Sequence, residues 1–345
     1  MAGKAWTYSS IKPSVLSNLE LTSYDDQDDS FTKPEHVLVK VLNASLNPGD
    51  LKFPETPILT HFIRKPATPS FDFCGSIVSI PTSYTKSPDA WNLHVGQLVF
   101  GMQRAIRSPG SLKTLLSVHV DTIYPLPLVE NIPVEHGSGL GVAALTAYQA
   151  IKPYAQAGSS VLITGGSGGV GTFAIQIAKA LDMHVIVTCS AKGAKLCQDL
   201  GADELIDYTK TTISEALSER KVDLLVDCVG NDCTLHQQSE QFLSKDGHFV
   251  LVAIMAENLT GILSMLDSAF RPTWLGGVRR KWKLIFTTSA TTDFANIADL
   301  ATAGKLRVVV DKVFDFGDVP AAYKYLKSGR AKGKVLVHIA YAESR

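Results

Sequence analysis

The sequence is short of the features that mark several functional classes. Cysteine is scarce: five residues, Cys74, Cys189, Cys197, Cys228 and Cys233, are scattered through 345. Their number is odd and no CxxC occurs, which argues against a disulfide framework or a zinc ribbon and fits a reducing compartment. Net charge is also lacking, since 33 Lys and Arg balance 33 Asp and Glu. A chain of that balance has no electrostatic footprint for nucleic acid. No apolar run reaches the roughly 18 residues that span a bilayer. The opening "MAGKAWTYSS" has no apolar core of a secretory signal. The expectation is a cytoplasmic protein with no transmembrane segment. The acidic cluster Asp25–Asp29 argues mildly against a mitochondrial address, which stays open as the alternative. What remains is 45% apolar and 19% charged with no low-complexity tract, the composition of a folded globular chain. Its length suggests two domains.

The first 130 or so residues read as short strands between turns. "HVLVKVL" (His36–Leu42), "GSIVSI" (Gly75–Ile80) and "GQLVFG" (Gly96–Gly101) are rich in β-branched residues and bounded by Pro, Gly, Asn and Ser. "YPLPLVENIP" (Tyr124–Pro133), with three prolines, makes a boundary. Beyond it the texture changes. The helix pattern "GLGVAALTAYQAI" is followed by the strand "SSVLITG", the helix "TFAIQIAKAL", the strand "HVIVTCS", a helix around "AKLCQDLGA", and the strands "VDLLVDCVG" and "GHFVLVAI". Alternation of this kind predicts βαβ units and a parallel sheet covered on both faces. After Ile285, "FANIADLATAGKL", "RVVVDKVF" and "GKVLVHI" return to the style of the first region. The expected organisation is a β domain over 1–130, a doubly wound domain over 131–288, and a return to the β domain over 289–345.

The stretch "ITGGSGGVGTFAIQIAKAL" (Ile163–Leu181) has the context of a dinucleotide fingerprint: strand, tight glycine turn, helix. Read as G-x-G-x-x-G, the positions fall on Gly166, Gly168 and Gly171. Gly166 would allow the sharp exit from the strand, and Gly171 would let the helix pack on the sheet. Gly168 and Gly169, with Ser167 and Val170 beside them, would let the backbone approach a pyrophosphate at the helix N-terminus. Ala174, Ile177, Ala178 and Leu181 form the expected buried stripe. The plainer reading, a tight βα turn with no ligand, is weakened by the βαβ alternation around it.

An NAD-specific site usually closes the second strand with Asp or Glu to hold the ribose 2′-OH. Here the strand ends in Thr188, Cys189 and Ser190, followed by Lys192 and Lys195. A hydroxyl and cations suit a 2′-phosphate, which a carboxylate would repel. NADPH is the expected cofactor. The plainer reading puts the lysines, Lys195 above all, on a solvated helix face.

"GSGLGVAALTAYQAI", "VLITGGSGGVGTFAIQIAKAL", "LGADELIDY" and "GKLRVVVDKVFDFGDVPAAYKYLKSGRAKGKVLVHI" occur in an order and spacing that resemble one family. It is the quinone oxidoreductase (zeta-crystallin-like) branch of the medium-chain dehydrogenase/reductase superfamily, in its reticulon-interacting and alkenal-reductase flavour. The likeness runs from about Val37 to Ile339. It implies an α/β protein with a GroES-like β-barrel catalytic domain and a Rossmann doubly wound parallel sheet, the active site lying in the cleft between them. Asn47 would face the nicotinamide ribose, and Thr146 the nicotinamide amide. Ser190, Lys192 and Tyr208 would surround the 2′-phosphate. Val229 and Ala253 would lie near the nicotinamide, and Lys334 would approach from the C-terminal return. A homodimer is typical of the family.

Zinc-dependent members of the superfamily place a Cys early, a Gly-His-Glu next and a further Cys or Asp later. In this sequence Asn47 stands at the first ligand position, Phe71 and Asp72 stand at the His and Glu, and the region near Leu140 has no Cys. The four-cysteine structural lobe is absent, since no Cys lies between Cys74 and Cys189. No metal is expected, and Cys228, Cys233 and His236 lack a fourth ligand. The reaction implied is NADPH-driven hydride transfer to a small-molecule electron acceptor, a quinone or an α,β-unsaturated carbonyl. No His or Tyr in "NPGDLKF" offers a proton, and Asp50 reads as an exposed turn residue, so no general acid is named. The alternatives are an enoyl reductase acting in trans for a biosynthetic partner and a non-catalytic NADPH-binding sensor. Phe270–Phe286, aromatic and basic, could make peripheral membrane contact, although a surface loop explains it as well.

Overall fold

The computed structural model describes residues 3–24, 35–56, 59–81, 93–104, 110–232, 234–252 and 278–340. Along the chain the strands are β1 (Gly3–Thr7), β2 (Glu20–Tyr24), β3 (His36–Leu46), β4 (Asp72–Ser79), β5 (Leu98–Met102), β6 (Leu115–His119) and β7 (Ile123–Pro125). There follow β8 (Ser160–Thr164), β9 (His184–Cys189), β10 (Glu204–Asp207), β11 (Val222–Asp227), β12 (Leu243–Leu251) and β13 (Lys281–Leu284), and last β14 (Val310–Asp315) and β15 (Lys334–His338). The α-helices are α1 (Gly49–Glu55), α2 (Val142–Ile151), α3 (Gly169–Ala180), α4 (Ala191–Asp199), α5 (Ile213–Ala216), α6 (Leu235–Gln238), α7 (Thr291–Thr302) and α8 (Val319–Lys327).

Two units partition the chain: Met1–Leu145 with Thr288–Arg345, and Thr146–Thr287. In the first, the strands run in the order β14-β15-β3-β4-β5-β7, with β6 also paired to β3. Every pairing there is antiparallel except that of β14 with β15. The two C-terminal strands therefore complete the sheet begun by the N-terminal region. Val37, Val39, Val41, Phe73, Ile77 and Val99 fill one side of that sheet. Trp6, Leu46, Leu51, Tyr323 and Val335 form a second core that ties α8 and α1 to it.

The second unit is a six-stranded sheet in the order β10-β9-β8-β11-β12-β13, parallel throughout. The order reverses between β8 and β11, the switch point at whose carboxyl edge open α/β sheets take ligands. Val161, Leu162 and Ile163 have no exposed surface, as strands covered on both faces require. Helix α3 is buried more widely than the expected stripe: every residue from Gly171 to Ala178 is buried, Phe173 and Ile175 included. A helix that is apolar nearly all round is one that is covered nearly all round.

Candidate active site

The glycine turn sits at the carboxyl end of β8. Gly165 has φ +62°, a left-handed conformation that suits glycine, so Gly165 rather than Gly166 makes the sharp exit from the strand. Gly166 serves close packing instead: a Cβ there would lie 2.0 Å from Val187 Cγ1. Gly171 packs the helix on the turn, where a Cβ would meet the Gly165 carbonyl oxygen at 2.3 Å. At Gly168 a Cβ would meet the Gly165 carbonyl oxygen at 3.3 Å, a close but single contact. Gly168 is the N-cap of α3 and makes no side-chain cap. The first-turn N–H groups of a helix have no intrahelical partner. The Gly168 N–H donates to the Gly165 carbonyl at 2.9 Å, which closes the turn and leaves the first N–H groups of α3 as its donors.

The neighbouring strand ends hold the turn in place. The Gly165 N–H donates to Thr188 Oγ1 at 3.2 Å and the Gly166 N–H to the Thr188 carbonyl at 3.1 Å. Thr164 Oγ1 donates to Asp227 Oδ1 at 2.6 Å, and the same oxygen receives the N–H groups of Val229 and Gly230. Asp227 is buried, and it anchors the loop that carries Val229 beside Gly165. Thr164 and Asp227 were not singled out in the sequence, and Thr188 figures there only as part of a strand end without a carboxylate. Their signal is only that each is a polar residue closing an apolar strand.

Ser190 follows β9 as the N-cap of α4, and its hydroxyl does not cap the helix. The β9–β10 register sets Cys189 against Asp207, so Ser190 and Tyr208 emerge side by side. Tyr208 is 62% exposed, and Lys192 lies exposed in the first turn of α4. Ser167 packs against the backbone of Gly193, which joins the glycine turn to this second helix start. Lys195 pairs with Asp199 one turn on and belongs to the solvated face. On α2, the Thr146 hydroxyl is hydrogen-bonded to that of Thr287, just beyond β13. Ala253 lies outside the described residues, as do Cys233 and 270–277 of the aromatic and basic segment.

The other named residues, Asn47 and Lys334, meet in the first unit inside a buried polar cluster. Lys334 Nζ donates to Asn47 Oδ1 at 2.6 Å and to the Leu46 carbonyl at 3.3 Å, and lies 3.5 Å from Asp72 Oδ2. Asn47 Nδ2 donates to Asp72 Oδ2 at 2.8 Å and to the Ser45 carbonyl at 3.4 Å. Asp72 Oδ1 accepts the Val142 N–H at 2.6 Å. Both amide hydrogens of Asn47 are thus committed within the protein.

Asp50 joins the same cluster and corrects an expectation. It is 2% exposed, not an exposed turn residue. Its Oδ2 accepts the Asn47 N–H at 2.8 Å and the Tyr323 hydroxyl at 3.1 Å, while Oδ1 has no partner. Burial pushes the Asp50 carboxyl up to about 8, with Asp72 adding to the rise and Lys334 and the two hydrogen bonds opposing it. Burial also raises Asp72, against the pull of Lys334 and the donors it accepts from, and lowers Lys334. Burial therefore favours the protonated form of Asp50.

A zinc ion does not fit this arrangement. Of the positions where zinc-dependent members carry ligands, Phe71 offers no donor atom, and Asn47 and Asp72 already hold the Lys334 ammonium group. Among the described residues no group of three or more His, Cys, Asp or Glu is placed to hold a metal. A nicotinamide dinucleotide does fit the second unit, with a glycine turn, an uncapped helix start and a second helix start beside it.

Comparison with known proteins agrees with this architecture. Residues 33–127 match the alcohol dehydrogenase GroES-like domain, and residues 200–337 match the zinc-binding dehydrogenase family. The chain is 40% identical to the trans-enoyl reductase pgmF of Aspergillus terreus over 97% of its own length and 96% of that protein's. It is 33% identical to the human mitochondrial NAD(P)H oxidoreductase RTN4IP1, over 59% of this chain and 55% of that one. The quinone oxidoreductase of Coxiella burnetii superposes with a TM-score of 0.82 at 25% identity, covering 98% of this chain and 100% of the other. A likeness of this extent, carried by a glycine-turn parallel sheet and a β unit built from both chain ends, makes the protein a member of the medium-chain dehydrogenase/reductase superfamily of nicotinamide-dependent oxidoreductases.

Proposed function

We propose that the protein is an NADPH-dependent, zinc-independent reductase that delivers hydride to the β-carbon of an α,β-unsaturated carbonyl or to a quinone. The observation that carries this reading is the pairing of an uncapped glycine turn at the start of α3 with a carboxylate-free, lysine-bearing end of β9. Within the turn Gly166, Ser167, Gly168, Gly169 and Val170, the N–H groups of Gly166 and Gly168 are given to the Thr188 and Gly165 carbonyls, and the remaining backbone N–H groups and the positive end of the helix bind the pyrophosphate. Ser190, Lys192 and Tyr208 take the 2′-phosphate, by charge-assisted hydrogen bonds and by stacking beside it. Thr146, hydrogen-bonded to Thr287, and Val229 with Ala253 are assigned to the nicotinamide and Asn47 to its ribose, with Lys334 approaching from the C-terminal return behind Asn47.

When bound, the reduced nicotinamide supplies the hydride. The chain's own task is to orient the acceptor and to stabilise the negative charge that grows on its carbonyl oxygen. Asn47 has no amide hydrogen left for that purpose, so the donors are backbone N–H groups. The proton comes from water, because Asp50 is buried and locked between Asn47 and Tyr323.

The extended likeness to a trans-enoyl reductase favours a particular acceptor, an enoyl thioester presented by a partner. Incubation with NADPH deuterated at C4, followed by mass spectrometry of the product, tests the reading. Label at the β-carbon of crotonyl thioester is the expected result. NADPH binding without label in an enoyl thioester or a free enal, and without NADPH oxidation by a quinone, whose O–D would exchange with water, would turn the reading toward a sensor.

A further inference from the structure

The buried cluster of the first unit has a feature that the cofactor reading does not use. Lys334 Nζ faces three oxygens: a backbone carbonyl at 3.3 Å, an amide carbonyl at 2.6 Å and a carboxylate at 3.5 Å. An ammonium has three hydrogens for three acceptors, whereas a neutral amine would turn a lone pair toward one of them. The acceptor set therefore selects the charged form. Burial lowers the Lys334 ammonium's pKa, and Asp72 and Asp50 work against that fall. These oxygens come from β3, the turn after it and β4, and Lys334 comes from β15, at the far end of the sequence. They are also the kinds of donor that hold hard cations elsewhere.

We propose that Lys334 is a positioning residue whose ammonium group is the resident cation of this pocket. It arranges Asn47 and Asp72 where zinc-dependent members of the superfamily use a metal ion. The inference deepens the reductase reading, because Asn47 is that reading's cofactor contact in the first unit. Without the cation, Asn47 Oδ1 loses its strongest donor and Asp72 is left as a buried carboxylate facing Asp50. Asn47 would then turn out of place even though no atom of Lys334 takes part in hydride transfer.

The test begins with the wild-type protein. Lysine Nζ and Cε signals by NMR, with assignment by Lys334→Arg, are expected to show an ammonium in slow hydrogen exchange at neutral pH, and metal analysis to show no stoichiometric zinc. Lys334→Ala is then titrated with ethylamine or propylamine, read by thermal midpoint and by NADPH affinity. The expected result is an affinity loss of about tenfold or more, restored in a saturable way by the amine but not by propanol or zinc chloride. A neutral Lys334 amine, stoichiometric zinc in the wild type, or equal rescue by propanol would each overturn the proposal. Should Lys334→Ala fail to fold, the wild-type NMR and metal content decide by themselves. None of these readouts needs turnover. If they hold while no acceptor is reduced, the reductase reading falls and the resident cation stands.

Discussion

The Tyr323 hydroxyl donates to Asp50 Oδ2 at 3.1 Å across 273 residues of sequence. This bond joins helix α8 of the C-terminal return to helix α1 after β3. It makes the last part of the chain a structural component of the turn that carries Asn47. The consequences run from stability to cofactor binding.

Asp50 gives the protein a pH-dependent stability of definite sign. Its folded-state pKa of about 8 lies above the value near 4 of an unfolded aspartate. Between those values the folded state holds a proton that the unfolded state has released. The contribution is therefore fully present below about pH 4 and is lost as pH rises toward 8, at up to about 1.4 kcal/mol per pH unit. Chemical denaturation at a series of pH values should show a steeper fall for wild type than for Asp50→Asn, the two curves separating as pH approaches 8. Parallel curves would mean that Asp50 is ionised in the folded protein.

Tyr323→Phe removes one of the two donors to Asp50 Oδ2 and leaves the ring in its core with Leu46, Leu51 and Val335. Loss of one buried hydrogen bond of this kind costs about 1–3 kcal/mol. The thermal midpoint should fall accordingly while NADPH affinity stays within about threefold of wild type, because Asn47 keeps its three side-chain bonds. A large affinity loss with an unchanged midpoint would reverse that assignment.

Gly166→Ala should fail for a steric reason that a second substitution can relieve. The added methyl would press on Val187 Cγ1, which is fixed in β9, and overpacking of this kind costs about 1–3 kcal/mol. Both the thermal midpoint and the NADPH affinity should drop. Adding Val187→Ala to the same chain should recover much of both, as dye-based melting and isothermal titration would read.

Ser190→Asp places a carboxylate where the 2′-phosphate is expected. Loss of a charge-assisted bond and gain of repulsion, about 1.5–3 kcal/mol, should weaken NADPH binding by roughly 10- to 100-fold. NADH, which has no 2′-phosphate, should bind the variant as well as it binds wild type or better. Equal losses for the two dinucleotides would remove Ser190 from the specificity site.

The parts of this protein that were legible in its sequence are those whose signals are local. The β8–turn–α3 unit shows itself in adjacent residues, because a strand, its glycines and an apolar helix follow one another without interruption. Even there the left-handed residue is Gly165, one place earlier than the fingerprint alignment suggests, because φ is set by the exit direction of β8 and not by the spacing of the motif. Strand β10 is not visible in the sequence: it has four residues, only Ile206 of which is buried, and takes its order from pairing with β9. Asp50 was misread for the opposite reason. A Gly-Asp turn looks exposed until Tyr323 and Lys334 arrive from the other end of the chain. The same distance concealed how Asn47 spends its hydrogens, which only the folded contacts among Ser45, Asp72 and Lys334 define.

The most direct test of the account is the oxidation of NADPH, followed at the absorbance band of the reduced nicotinamide, with NADH measured in parallel. The acceptors are a crotonyl thioester, a short enal, and ortho- and para-quinones, each with and without a chelator. Turnover with NADPH is expected well above that with NADH, unchanged by the chelator, for at least one of these acceptors. Turnover that is abolished by the chelator and restored by zinc, or that prefers NADH, would contradict it.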